Sequence, residues 1–246
     1  MKVIFLGVGE AFDENHPNTS ILIESETKLL LDCGYSAAAQ LWKYNPDPEF
    51  LDAVYITHQH ADHYFGLPQI VNRMREDGRK KKLSIICNKK LVEIIKELFD
   101  YAYKGLLSRP GMFPVEFLGV EPGKNEQINE LEILFEKTGH HIENLAVRIS
   151  DGKHILCYTG DGKLTNENLC KNADILINEG YFFEQGQKHL YIPDVIKMAE
   201  DNNVKCLALV HINRDVRKKE MNRILGIAKE SKIKVIVPEA MEEYKI

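Results

Sequence analysis

No two cysteines of this chain stand in a Cys-x-x-Cys spacing, and no apolar run approaches the roughly 20 residues needed to span a bilayer. Nor does positive charge predominate: 32 basic side chains stand against 37 acidic ones, a net charge of −5. Each shortage closes off a class. The cysteines (Cys33, Cys87, Cys157, Cys170 and Cys206) are scattered, all but Cys170 in or beside apolar strand-like runs. Buried free thiols in a reducing compartment are the expectation. The charge balance gives no general affinity for nucleic-acid backbones. One lysine and a short apolar run precede Gly9-Glu10, too little for a signal peptide, so a cytoplasmic protein without a membrane anchor is expected. Repeats of short period, low-complexity tracts and linkers are also lacking. With 246 residues, 44% hydrophobic and 28% charged, residues 1–246 read as a single α/β domain with a substantial core.

What the chain does have is Thr57-His58-Gln59-His60-Ala61-Asp62-His63, four metal-binding side chains within six residues. An apolar run, Leu51 to Ile56, precedes it and reads as a buried strand. Tyr64 to Arg75 follows with helical spacing of apolar residues. The cluster thus sits on a loop at a strand's C-terminal end, where α/β proteins place their chemistry. In an extended segment His58 and His60 point the same way. Asp62 and His63, turning into the helix, can face a second point a few ångströms away. Imidazoles with a carboxylate, and no thiolate, suit zinc, iron or manganese.

Elsewhere the pattern predicts strands at Lys2–Gly7, Ser20–Glu24, Lys28–Asp32, Leu83–Cys87, Val115–Leu118, Leu131–Lys137, Ala146–Ser150, His154–Tyr158, Asp174–Asn178, Lys205–Val210 and Lys234–Val237. Helices are predicted after Gly34 and at Leu91–Tyr101, Thr165–Asn172, Ile192–Asp201 and Val216–Ala228. Gly7-x-Gly9 lacks the third glycine and the helix of a dinucleotide fingerprint and reads as the border of a tight loop. Arg79-Lys80-Lys81-Lys82 reads as a solvated turn.

The His-x-His-x-Asp-His pattern resembles the metallo-β-lactamase superfamily of metal-dependent hydrolases, and the resemblance implies a four-layer αββα sandwich. Later segments resemble its ribonuclease Z-like, phosphodiesterase branch. In Thr138-Gly139-His140-His141-Ile142-Glu143-Asn144-Leu145-Ala146, the family's register makes His140 the ligand, with His141 the alternative. Tyr158-Thr159-Gly160-Asp161-Gly162 resembles the turn whose aspartate bridges two metals. A zinc β-lactamase has cysteine there, so lactam hydrolysis is not implied. Leu207 to His211 ends a strand on the position of the last ligand. The implied ligand sets are His58, His60 and His140 for one ion and Asp62, His63 and His211 for the other, with Asp161 between them. Asp32 matches an aspartate that orients the histidine loop by hydrogen bonds.

The branch also implies chemistry: a metal-bridging hydroxide as nucleophile, Asp62 orienting it, and His189 protonating or clamping a phosphate oxygen while Glu179 orients His189. Two divalent ions, zinc first and manganese or iron alternatively, are the implied cofactors. Only 20 residues lead from His140 to Asp161, so the inserted arm that binds tRNA in full ribonuclease Z is missing, and Asn178 replaces its histidine. A small or short phosphodiester is therefore the expected substrate, with nucleic acid not favoured. A homodimer is carried over from the branch. The alternative function is an acyl hydrolase of the same fold, a glutathione thioesterase or a lactonase.

Overall fold

A computed structural model describes residues 1–183 and 190–246 of the chain. The first half runs β1 (Lys2–Gly7), β2 (Ser20–Glu24), β3 (Lys28–Leu31), α1 (Ala37–Tyr44), β4 (Ala53–Ile56), α2 (Ala61–Tyr64), α3 (Leu67–Glu76), β5 (Leu83–Asn88), α4 (Val92–Ala102) and β6 (Val115–Val120). The second runs β7 (Asn125–Ile128), β8 (Leu131–Gly139), β9 (Leu145–Ser150), β10 (Ile155–Tyr158), β11 (Lys163–Leu164), β12 (Ile175–Glu179), α5 (Ile192–Asp201), β13 (Cys206–Val210), α6 (Arg214–Glu230), β14 (Lys234–Ile236) and β15 (Glu242–Lys245).

Among the described residues, seven strands form one sheet in the order β15-β1-β2-β3-β4-β5-β6. Eight form the other, β11-β8-β9-β10-β12-β13-β14, with β7 paired to β8. In both sheets an antiparallel part gives way to a parallel part: β3 to β6 run parallel in the first, β10 and β12 to β14 in the second. Strand alternation explains the layering. Val3 and Phe5 of β1 face the core between the sheets, whereas Ile4 and Leu6 face α1, α3 and α4. Cys206, Ala208 and Val210 of β13 likewise face inward, and Leu207 and Leu209 face α5 and α6. The parallel strands are buried on both faces, which is why β4 and β13 are unbroken apolar runs. The result is the expected α/β sandwich, two sheets face to face with helices outside.

Three readings need correction. The segment Thr165–Asn172 holds a single 3₁₀ turn, Glu167–Cys170, after the two-residue β11. Asn166 caps that turn, Asn172 takes a positive φ, and the Arg148 guanidinium holds the carbonyls of Leu169 and Lys171. Nor is Arg79-Lys80-Lys81-Lys82 a uniformly solvated turn. Arg79 is fully buried, donating to the carbonyls of Pro48, Leu51, Lys81 and Lys82. Its five-donor guanidinium is met by these four backbone carbonyls. The predicted helix from Tyr64 to Arg75 is two helices, α2 and α3, broken at Phe65 and Gly66 because the Gly66 N–H donates to Cys33. All five cysteines are buried and free, as expected.

Candidate metal centre

The parallel strands β3, β4, β10 and β13 end near one edge of the sandwich, and the predicted site residues lie on the segments leaving those ends. Asp32 follows β3, the histidine loop follows β4, Asp161 follows β10, and His211 follows β13. His140 and His141 follow the antiparallel β8 and reach the same point. Asp32 and His211 both take a left-handed backbone, φ 58° and 52°. That conformation is strained for residues with a Cβ and clusters at functional sites. It turns each side chain off its strand and toward the loop beside it.

Asp32 is fully buried and organises the histidine loop. Its carboxylate accepts from the Thr57 N–H at 2.8 Å, the Thr57 hydroxyl at 2.9 Å, the Tyr158 hydroxyl at 2.7 Å and His63 Nδ1 at 2.7 Å. With its proton on Asp32, the Thr57 hydroxyl accepts from His58 Nδ1, 2.9 Å away. Both rings are thereby fixed with Nε2 directed into the site, the tautomer a metal requires. Gly34 lets this loop lie close: a Cβ there would sit 1.9 Å from the Asp62 carbonyl oxygen. Gly160 does the same for the Asp161 turn, with φ +57° and a phantom Cβ 2.5 Å from Asn144 Oδ1.

Two donor sets result. His58, His60, His140 and Asp161 form one group and Asp62, His63 and His211 another, each with its ligand atoms within 4.8 Å of one another. In the first, His60 Nδ1 lies 2.9 Å from His58 Nε2 and 3.5 Å from His140 Nε2, and Asp161 Oδ2 is 3.7 Å from His58 Nε2. In the second, Asp62 Oδ2 lies 3.2 Å from His63 Nε2 and 3.3 Å from His211 Nε2. Asp161 Oδ1 is 3.5 Å and 3.7 Å from the same two nitrogens. One carboxylate therefore presents one oxygen to each set. His140 joins the first set, and the exposed His141 sits at the rim with Nε2 3.2 Å from His60 Nε2.

The donor chemistry fits divalent cations. Imidazole nitrogens facing one another across about 3 Å share at most one proton, and the buried His63 Nε2 and Asp161 Oδ1 find no hydrogen-bond partner among the described residues. Orphaned buried polar atoms of this kind are costly unless something else engages them. Glu179, also fully buried, accepts from the Gly162 N–H at 2.7 Å and lies 3.8 Å from His211 Nδ1. It thus supports the Asp161 turn and stands behind His211. His189 lies outside the described residues. Sequence reasoning missed Thr57, Tyr158 and Asn144, the last donating to Thr138 Oγ1 and the Thr159 carbonyl at 2.8 Å each. Their one signal is adjacency to ligand segments.

Without metal the cluster holds protons instead. Burial pushes the Asp161 carboxyl up to about 6. Burial opposes protonation of His211, but Asp161 and Asp62 raise it to about 9. Burial likewise opposes protonation of His63, and Asp161, Asp32 and Asp62 outweigh it. Burial lowers His58, and His60 to about 4. From the ordinary imidazole value of 6.5 up to about 9, the folded chain keeps protons on His63 and His211 that the unfolded chain has released. The folded state then binds more protons, and stability falls as pH rises. His58 and His60 oppose this only near pH 6.5, where the unfolded chain still holds part of their protons, and they are neutral in both states above about 7.5. The melting temperature of the chelated protein is expected to fall between pH 6.5 and 9, and that of the metal-loaded protein to lack this fall, since ligation displaces the protons. A chelated protein that gains stability over that range would contradict the assignment.

No helix among the described residues is long and apolar enough to cross a membrane. Comparison with known proteins agrees with the geometry. Residues 1–233 match the family described as anti-Pycsar protein Apyc1. A ribonuclease Z of Macrococcus caseolyticus is 22% identical over 310 residues, covering 100% of both chains. Among solved structures, the metallo-β-lactamase fold protein YhfI of Bacillus subtilis superposes with a TM-score of 0.83 at 23% identity, covering 99% of this chain and 98% of that one. A diphosphatase of the PhnP family superposes with a TM-score of 0.79 at 16% identity, covering 100% and 97%. The fold is thus the metallo-β-lactamase fold. The chain is a ribonuclease Z-like, metal-dependent hydrolase, and it belongs to the family of the anti-Pycsar protein Apyc1.

Proposed function

We propose that the chain is a dinuclear phosphodiesterase acting on a small or short phosphodiester. The single observation that carries this reading is Asp161, whose Oδ2 faces the His58 set and whose Oδ1 faces the His63 and His211 set. A carboxylate so shared suits two cations a few ångströms apart, the arrangement suited to in-line displacement at phosphorus. His58, His60 and His140 would hold one ion and Asp62, His63 and His211 the other. Zinc is the first choice for five imidazoles and two carboxylates, with manganese or iron compatible. When bound, the ions lower the pKa of water to about 7 and neutralise charge developing on phosphate oxygens. Asp62, at 6 % exposure, reaches the cavity and would accept a hydrogen bond from the attacking water. His189 would give a proton to the leaving oxygen or clamp a phosphate oxygen, with Glu179 orienting it.

Ribonuclease Z and diphosphatase relatives support phosphorus rather than acyl carbon as the electrophile. Five buried free thiols support a cytoplasmic setting. A homodimer is carried over from the ribonuclease Z resemblance, to be read by sedimentation velocity.

The test is hydrolysis of bis(p-nitrophenyl) phosphate by purified protein, with metal content read by elemental analysis. Two equivalents of metal per chain are expected. Chelation is expected to remove activity, and Zn²⁺ or Mn²⁺ to restore it. Turnover of thioesters or lactones with none of phosphodiesters would move the assignment to an acyl hydrolase.

A further inference from the structure

The cavity above the donor sets, about 370 Å³, has one wall that the metal ligands do not explain. His60, Asp62, Asp161 and His211 line its floor, and Phe12 and Tyr35 line its mouth. Phe12 is 74 % exposed and Tyr35 50 %, so neither gains much from burial in the fold. Both are nevertheless held in place. The Tyr35 hydroxyl donates to the Ala11 carbonyl. The Phe12 N–H donates at 3.0 Å to Glu10, a carboxylate only 1 % exposed that the proposed reaction does not use. Glu10 pairs at 2.6 Å with Arg214, whose guanidinium carbon lies 5.8 Å from the Phe12 ring centroid. The loop is closed behind them by Gly9 N–H to Pro17 and Thr19 N–H to Gly9, at 2.8 and 2.9 Å.

Resting on the phosphodiesterase reading above, we propose that Phe12 and Tyr35 are specificity-determining residues. They form a stacking surface that selects phosphodiesters carrying a planar aromatic or heteroaromatic ring. A phosphodiester whose oxygens reach the floor of the cavity must direct one substituent toward its mouth. The Tyr35 ring, through its hydroxyl, and the Phe12 backbone are tied down before it arrives, so less ordering opposes stacking than on a free loop. Aromatic faces discriminate by shape and quadrupole, not by bulk alone. A saturated ring of the same size offers at least as much apolar area and would be preferred if the wall were merely greasy.

That contrast supplies the test. Benzyl(methyl)phosphinate and cyclohexylmethyl(methyl)phosphinate are monoanions with carbon in place of the ester oxygens, so neither is hydrolysed. Their affinities for the metal-loaded protein are measured by titration calorimetry. The benzyl compound is expected to bind about tenfold more tightly, within the range of single aromatic stacking contacts. Phe12→Ala and Tyr35→Ala are expected each to reduce the preference to about threefold or less. Tyr35→Phe keeps the ring and is expected to retain most of it. Tyr101→Ala, an exposed aromatic outside the cavity, is expected to leave both affinities unchanged. Equal affinities in the native protein, a preference that survives Phe12→Ala and Tyr35→Ala, or failure of both compounds to bind would each overturn the proposal. Phosphodiester turnover without ring preference removes this inference alone. Ring preference without phosphodiester turnover removes the phosphodiesterase reading and leaves the wall.

Discussion

Asp161→Ala is expected to lower kcat/KM for bis(p-nitrophenyl) phosphate by about 10³-fold or more, and to leave the protein with fewer than two equivalents of metal. Loss of one preorganised group that stabilises developing charge typically costs about 10²–10³-fold. Asp161 faces both donor sets, so on the proposed arrangement its loss would remove a ligand from each. Asp161→Asn keeps one oxygen and is expected to retain more metal than the alanine variant without recovering the rate. Stability should move the other way. In the metal-free protein Asp161 is a buried carboxylate pushed up to about 6, which marks an environment that disfavours its charge. The chelated Asp161→Asn protein is therefore expected to melt no lower than the chelated native protein. Near-native turnover with two bound metals in Asp161→Ala would remove the shared-carboxylate arrangement on which the mechanism rests.

Asp32→Asn is expected to destabilise the fold by about 3–5 kcal/mol, the range for breaking a buried charged network by removing one member. At about 2–4 °C per kcal/mol for a chain of this size, the melting temperature should drop on the order of 10 °C. Asparagine is the informative replacement because it tolerates the left-handed backbone at φ 58°, which alanine does not. The loss therefore reports the carboxylate. Thr57, His63 and Tyr158 all donate to Asp32, and an amide cannot accept from all of them. Metal affinity is expected to fall about 10–100-fold as the His63 and His58 rings lose their orientation. Zinc competition with a chromogenic chelator measures this. A melting temperature within about 2 °C of native, with unchanged zinc affinity, would assign Asp32 no such part.

Much of this was readable from the chain because parallel strands buried on both faces leave long apolar runs, and polar residues ending them stand out. Lys28 to Asp32, Leu51 to His58, Ile155 to Asp161 and Leu207 to His211 all show the pattern. The edge strands were not readable. β7, β11 and β15 are short or rich in charge, and they form because a neighbouring strand offers its free edge. Arg79 misled for the opposite reason. Its neighbours Lys80, Lys81 and Lys82 look like a solvated run, and nothing local announces the four carbonyls that draw the guanidinium inward. The aromatic wall escaped notice because Phe12 and Tyr35 are 23 positions apart on unpatterned loops, brought together by the hydroxyl of one and the backbone beside the other.

Neither donor set belongs to one half of the sandwich. His58 and His60, Asp62 and His63 come from the first sheet, and His140, Asp161 and His211 from the second. Ions held there would act as rivets across the seam. Slow breathing of the two halves and escape of the ions would then be a single event, and the rate at which a chelator strips the enzyme would report how often the sandwich opens.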